Sequence, residues 1–334
     1  MQGHNSLKIA VVIPCYRVGD LVLDVINRID DDVHRIFVVD DACPIHTGNI
    51  VESRCKDNRV SVVYCKNNLG VGGATMMGIN SAIEDGADVI IKLDGDNQMD
   101  PSHIPVFVSL IQSGEADFAK GNRFFEPEGV ADMPLLRLIG NAALSFFSKL
   151  STGYWSIFDP TNGYFAVHAE VIGLLPLEKI SKRYFFESDL LFRLGTIRAR
   201  VIDVPMHSIY AGEVSSLNPL SEIPRFAASH LKNTIKRLFY MYFIRDFSVA
   251  SLELVLGITL IVFGTLFGLM SWGVSTPATP GTVMLAALPI FTGIQLLLSF
   301  INYDIAAVPK VALHRLLTTQ RAPSRILKSE EKNR

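Results

Sequence analysis

The sequence has no Cys-x-x-Cys pair, no G-x-x-x-x-G-K-[ST] loop, and no basic and apolar leader before the strand-like run that begins at Lys8. Each absence closes off a class of protein. Cys15, Cys43, Cys55 and Cys65 lack the paired spacing of a zinc or redox site, so a reduced, cytosolic catalytic portion is expected. Without a P-loop there is no Walker-type phosphate cradle. A net charge of −2 over 334 residues provides no polyanion-binding stripe, and nucleic acid is not an expected partner. With 49% hydrophobic residues the chain is not disordered either, and its length allows one large domain or two modest ones.

Charge itself is missing from Leu254 to Tyr303. This stretch divides at "GVSTPATPG" into two apolar runs, each about the ~20 residues a helix needs to cross a bilayer core. Two membrane-spanning helices are expected within residues 250–306. Lys232, Lys236, Arg237 and Arg245 precede them, and Lys310, Arg315, Arg321 and Arg325 follow. By the positive-inside rule both flanks, including a basic tail over 307–334, are cytoplasmic. Residues 218–249 mix bulky apolar side chains with bases at helical spacing, which suits amphipathic helices at the membrane surface.

Residues 1–217 follow a different rhythm. "KIAVVIPCY", "HRIFVVDDA", "VSVVYCKN" and "ADVIIKLDGD" are short β-branched runs separated by helix-like stretches such as "GVGGATMMGINSAIEDG". Strands alternating with helices predict an α/β domain with a mostly parallel sheet, whose ligands gather at the carboxyl ends of the strands. Tyr16, Asp40, Asp41, Asn67, Asn68, Asp94 and Asp96 all sit at such ends. "NNLGVGGATMMG" fails as a dinucleotide fingerprint, since Thr75 stands where a small residue is needed and the motif follows the third strand. Tight helix-to-strand packing is the plainer reading of those glycines.

"VIIKLDGDNQMDP", Val89 to Pro101, ends a buried-looking strand in a cluster of acids. Acids beside a core strand need a cation, because an unpaired buried charge costs several kcal/mol. The expected cation is a metal ion rather than a side chain. In an extended segment Asp94 and Asp96 would project to the same side. With Gln98 as a further oxygen donor and Gly95 admitting a ligand, they could converge on Mg²⁺ or Mn²⁺ beside a diphosphate. Asp100, before Pro101, reads instead as a cap on the next helix.

"VVIPCYRVGD", "IFVVDDACPIHTG", "NNLGVGGATMMGI", "KLDGDNQMDP", "KGNRF", "DPTNGYFAVHAEVI" and "YFFESDLLFRLGTIRARVIDVPM" together resemble a GT-A glycosyltransferase of family 2. The similarity is to the dolichyl- and polyprenyl-phosphate sugar synthases that carry a two-helix C-terminal membrane anchor. It implies a Rossmann-like nucleotide-diphospho-sugar transferase domain, a nucleotide-sugar donor, a polyprenyl phosphate acceptor at the cytoplasmic membrane face, and Mg²⁺ or Mn²⁺. A homo-oligomer is left open. By the same resemblance Pro14, Tyr16, Asp41, Asp94 and Gly95 hold the nucleotide sugar, and Asp96 and Gln98 hold the metal. Arg123 and Arg137 lie near the substrate phosphates, Asp159 completes the catalytic group, and Asn141, Glu187, Tyr210 and Ser216 fall on the acceptor side.

The chain departs from the resemblance in two places. Arg17 and Val18 stand where the family commonly has Asn-Glu, and Tyr210 and Ser216 replace two cations. Transfer to a lipid-linked saccharide is the alternative reading, with Asp159 as its candidate base, because a hydroxyl acceptor needs one and a phosphate does not. A non-enzymatic membrane scaffold is the third reading.

Overall fold

A computed structural model describes residues 7–125, 135–206, 219–271 and 278–317. The chain forms two compact units, one of residues 1–233 with 309–334 and the other of residues 234–308.

The first unit is built on a seven-stranded sheet in the order β3-β2-β1-β4-β6-β5-β7. The strands are β1 Ile9–Cys15, β2 Arg35–Asp40, β3 Val60–Tyr64, β4 Val89–Lys92, β5 Phe118–Asn122, β6 Phe165–His168 and β7 Val201–Pro205. β1 pairs in parallel with β2 and β4, β2 with β3, and β5 with β7, whereas β6 runs antiparallel between β4 and β5. The expected mostly parallel sheet is therefore present. Because β6 is reversed, its leading segment reaches the same edge at which β1, β2, β4 and β5 end.

The longer helices of this unit are α1 Leu21–Asn27, α2 Thr47–Arg54, α3 Val71–Glu84, α4 Ile104–Gln112, α5 Leu135–Thr152, α6 Phe186–Thr196 and the start of α7 Pro219–Phe239. Ile9, Val11 and Ile13 alternate along β1 into one core with Val22, Val25 and Phe107, as the period of two in a strand requires. On α3, a side chain at Gly78 would overlap Val12 and one at Gly72 would overlap Phe186. These glycines serve close packing, as the sequence suggested.

After the second unit the chain returns to the first. Leu313 and His314 donate their backbone N–H groups to the buried Asp117, and the His314 ring stacks on His168 at 4.4 Å.

The second unit contains the end of α7, a π-helical turn over Tyr240–Arg245, and helices α8 Val249–Ser271 and α9 Pro280–Ala306. Both α8 and α9 are long and apolar enough to cross a membrane. Small residues set their contact. A Cβ at Gly257 would meet Leu297 Cγ at 3.0 Å and one at Gly264 would meet the Ala286 carbonyl at 2.6 Å, the close approach that glycine permits between spanning helices.

Candidate active site

A cleft of about 580 Å³ opens at the carboxyl edge of the sheet, within the size range of small-molecule sites. Pro14 and Tyr16 reach it from the end of β1, Asp41 from just after β2, Asp94, Gly95, Asp96 and Gln98 from the loop after β4, Arg123 from just after β5 and Glu187 from the first turn of α6. Asn141 lies on α5 and does not line this cleft. The side chain of Arg137, and Tyr210 and Ser216 altogether, fall outside the described residues.

The segment after β4 differs from expectation. The strand ends at Lys92, the chain turns at Gly95 and Asp96, and Asn97 adopts a left-handed φ of 64°. Asp94 and Asp96 thus sit on a turn rather than on one face of an extended strand. Arg28 holds that turn from behind, with Nη1 donating to Asn97 Oδ1 at 2.7 Å and Nη2 to Asp100 Oδ1 at 2.6 Å. Asp100 also accepts from the Ser102 N–H, the expected cap.

The cation beside Asp94 is a side chain after all. Lys92, only 1% exposed, donates from Nζ to Asp94 Oδ1 at 2.6 Å. A metal-only account of the acid cluster is therefore corrected. A lysine inside "VIIKLD" was the available signal, because lysine is almost never fully buried without a partner.

Asp41 is likewise engaged with the backbone. Its two oxygens accept from the Leu69 and Gly70 N–H groups at 2.6 and 2.8 Å. The glycine-rich turn consequently directs those N–H groups to the Asp41 carboxylate instead of to a bound ligand.

Arg123 and Asp159 form a bidentate pair, Nε to Oδ2 at 2.8 Å and Nη2 to Oδ1 at 3.1 Å. Burial opposes ionisation of Asp159, but the Arg123 hydrogen bonds and charge outweigh it and hold the carboxyl below its ordinary range. A carboxylate so held is a weak proton acceptor. Glu187 behaves in the opposite way. Burial pushes it up to about 8, against the pull of Lys92 and Lys120.

Beneath the cleft, Lys92 on β4 and Lys120 on β5 both stand in register with Phe165 of β6. Burial lowers Lys120 to about 8 despite the nearby Asp159, Asp203 and Glu187, and its ammonium donates to the Asn162 carbonyl. Burial also raises Asp203 to about 6, while its Oδ2 accepts from Asn122 and from the Phe158 N–H. Sequence reasoning had missed Lys92, Lys120, Asp203 and Arg28.

The oxygen donors fit a hard divalent ion. Asp96 and Gln98 offer a carboxylate and an amide oxygen on the cleft wall. Among the described residues no group of three or more His, Cys, Asp or Glu side chains could form a cage alone. An ion here would complete its shell with ligand oxygens and water, as Mg²⁺ commonly does at phosphate sites.

Residues 10–174 match the family described as Glycosyl transferase family 2. The chain carries a family 2 glycosyltransferase domain. The transferase is 28% identical over 216 residues to the UDP-N-acetylglucosamine--dolichyl-phosphate N-acetylglucosaminyltransferase of Methanococcus voltae, covering 60% of this chain and 86% of that one. It is also 28% identical over 204 residues to the undecaprenyl-phosphate mannosyltransferase of Micrococcus luteus, covering 60% and 83%. Among solved structures it is similar to the glucosyl-3-phosphoglycerate synthase of Mycobacterium tuberculosis, crystallised with Mn²⁺, UDP and glucosyl-3-phosphoglycerate. That match has a TM-score of 0.51 and 18% identity, and covers 69% of this chain and 80% of the other. At that identity the likeness concerns the GT-A fold.

Proposed function

We propose that this transferase moves a sugar from a nucleotide-sugar donor to a polyprenyl phosphate at the cytoplasmic face of the membrane, inverting the anomeric carbon. The observation that carries this reading is the Arg123–Asp159 pair. It occupies the acid nominated as a base and presents a guanidinium at the cleft, the arrangement an already ionised acceptor calls for. The relatives named for dolichyl and undecaprenyl phosphate support the same acceptor class.

On this reading Pro14, Tyr16 and Asp94 receive the nucleotide sugar, and Arg123 offsets the charge that builds on the departing diphosphate. Mg²⁺ or Mn²⁺ held by Asp96 and Gln98 would supply further neutralisation of the diphosphate. Helix α5 supports an amphiphilic acceptor. It turns Ser145, Ser148 and Ser151 inward and leaves Phe146 and Phe147 about half exposed, an inverted amphipathic helix in a chain with two apolar spans.

Purified membranes incubated with labelled nucleotide sugars and undecaprenyl phosphate test the assignment. The expected product is a lipid monophosphate sugar, cleaved by mild acid and resistant to mild alkali. One observation favours a second reading, transfer to a lipid-linked saccharide. Glu187, with a proton affinity near neutrality in the cleft wall, could take a proton from a hydroxyl acceptor. A product that retains a diphosphate-linked saccharide would decide for it.

A further inference from the structure

Lys92 is an ammonium buried beside a catalytic cleft, and burying it carries a desolvation cost that only close partners offset. Its surroundings are built to receive it. Gly163, just ahead of β6, has no side chain, and a Cβ there would overlap Lys92 Nζ while standing 3.3 Å from Asp94 Oδ2 and 3.5 Å from Glu187 Oε1. The ammonium and the two carboxylates therefore converge on space that a larger residue would fill. Below them the Phe186 ring lies 5.8 Å from Nζ, a further favourable contact for a cation.

We propose that Lys92 is a positioning residue that neutralises and orients Asp94, so that the site takes up a divalent ion only together with the donor diphosphate. With Lys92 in contact, Asp94 adds little negative charge to the cleft, and Asp96 with Gln98 is too sparse a donor set to retain an ion. The arriving diphosphate supplies the missing negative charge and oxygen ligands. Lys92 also keeps Asp94 in a fixed direction for the sugar nucleotide. Asp94 is accordingly a donor-binding acid, and Asp96 is the carboxylate that meets the metal.

This inference rests on the divalent-ion reading of the cleft, and the experiment separates the two. Mn²⁺ binding to the purified full-length protein is followed by the electron paramagnetic resonance of free Mn²⁺, without nucleotide and with UDP or GDP. The wild type is expected to bind Mn²⁺ weakly alone and strongly with nucleotide. Lys92→Met should bind Mn²⁺ without nucleotide at least about tenfold more tightly, because the positive charge that offsets Asp94 has been removed. It should also show a raised KM for the nucleotide sugar. In Lys92→Met combined with Asp94→Asn the gain should vanish, which assigns it to Asp94. Gly163→Ala, which displaces the ammonium without removing it, is the second variant should Lys92→Met fail to fold. Unchanged nucleotide-free Mn²⁺ affinity in a folded variant, with only a lower melting temperature, would reduce Lys92 to a structural residue and overturn the proposal. A wild type that binds no Mn²⁺ even with nucleotide would overturn the metal reading and this inference with it.

Discussion

Asp159 and Arg123 are bound face to face through two parallel hydrogen bonds, with the carboxylate 1% exposed and the guanidinium 37% exposed. The acid is thus the anchor and the arginine is the working end. Asp159→Asn is expected to lower kcat through a misplaced Arg123, with no new ionisation in the pH–rate profile. Arg123→Ala should be worse for both rate and stability. It leaves a buried charge unpaired, a loss of about 3–5 kcal/mol for a pair of this kind, partly relieved by the exposure of the arginine. The Asp159 carboxyl is held low, so its contribution to stability is present above the ordinary carboxylate range and fades as pH falls through the depressed value. Acid unfolding of wild type and Asp159→Asn, compared by circular dichroism, checks the sign.

In the membrane-helix unit Arg237 forms a bidentate pair with Asp304 at 2.7 and 2.9 Å, and the Tyr242 hydroxyl donates to the same carboxylate. Both charged side chains are 5% exposed. Asp304→Ala should cost about 3–5 kcal/mol by stranding Arg237, whereas exchanging both partners for apolar residues should cost much less. Thermal unfolding in detergent, with the exposed Lys236→Ala as control, measures the difference.

The outward face of α5 gives a prediction about the acceptor tail. Phe146→Ser with Phe147→Ser removes two half-exposed aromatic side chains from that face. The apparent KM for undecaprenyl phosphate should rise about tenfold or more, since covering the exposed half of each ring is worth half of the about 1.5–3 kcal/mol for a fully buried phenylalanine. The KM for the nucleotide sugar, and activity on a short water-soluble isoprenyl phosphate, should not move. Equal effects on long and short acceptors would remove α5 from the lipid path.

Orientation follows from charge. With basic flanks on both sides of α8 and α9, the link between them should face away from the catalytic unit's compartment. Ala278→Cys should react with an impermeant maleimide added to intact cells. Cys55 is the one partly exposed native thiol, so Cys55→Ser is the background to use. Labelling only after lysis would reverse the topology.

The strands were legible because β-branched runs leave a short-range signal, and the two spans because fifty uncharged positions cannot be hidden. The site was legible only where it stands on strand ends. Asp94 could be seen from "LDGD", and Lys92 two residues before it was the local hint that a side chain meets it. The room for its ammonium comes from Gly163, which lies just ahead of the reversed strand and far along the chain. Asp41 was visible as a polar strand end, yet its partners, the Leu69 and Gly70 N–H groups, come from a different loop. Arg28 closes on Asn97 and Asp100 in the same non-local way. Such pairings depend on sheet order, which local pattern does not encode.

Glu187 separates the two acceptor classes. Burial raises it from the ordinary glutamate value to about 8, so between those limits the folded chain holds a proton that the unfolded chain has released. Stability should therefore fall as pH rises through that window, with the favourable contribution complete only below the ordinary value. Glu187→Gln should flatten that slope in denaturant titrations. The activity of the same variant carries the functional decision. A lipid phosphate is its own nucleophile and needs no base, so protonated Glu187 serves only to donate a hydrogen bond, and glutamine retains that. Glu187→Gln should then keep kcat within about tenfold of wild type, and the wild-type rate should show no rise toward pH 8. A hydroxyl acceptor requires the ionised form. In that case the wild-type rate would climb to a plateau near pH 8 and Glu187→Gln would lose about 10²–10⁴-fold, the usual contribution of a general base. That outcome would move the acceptor from a lipid phosphate to a lipid-linked saccharide.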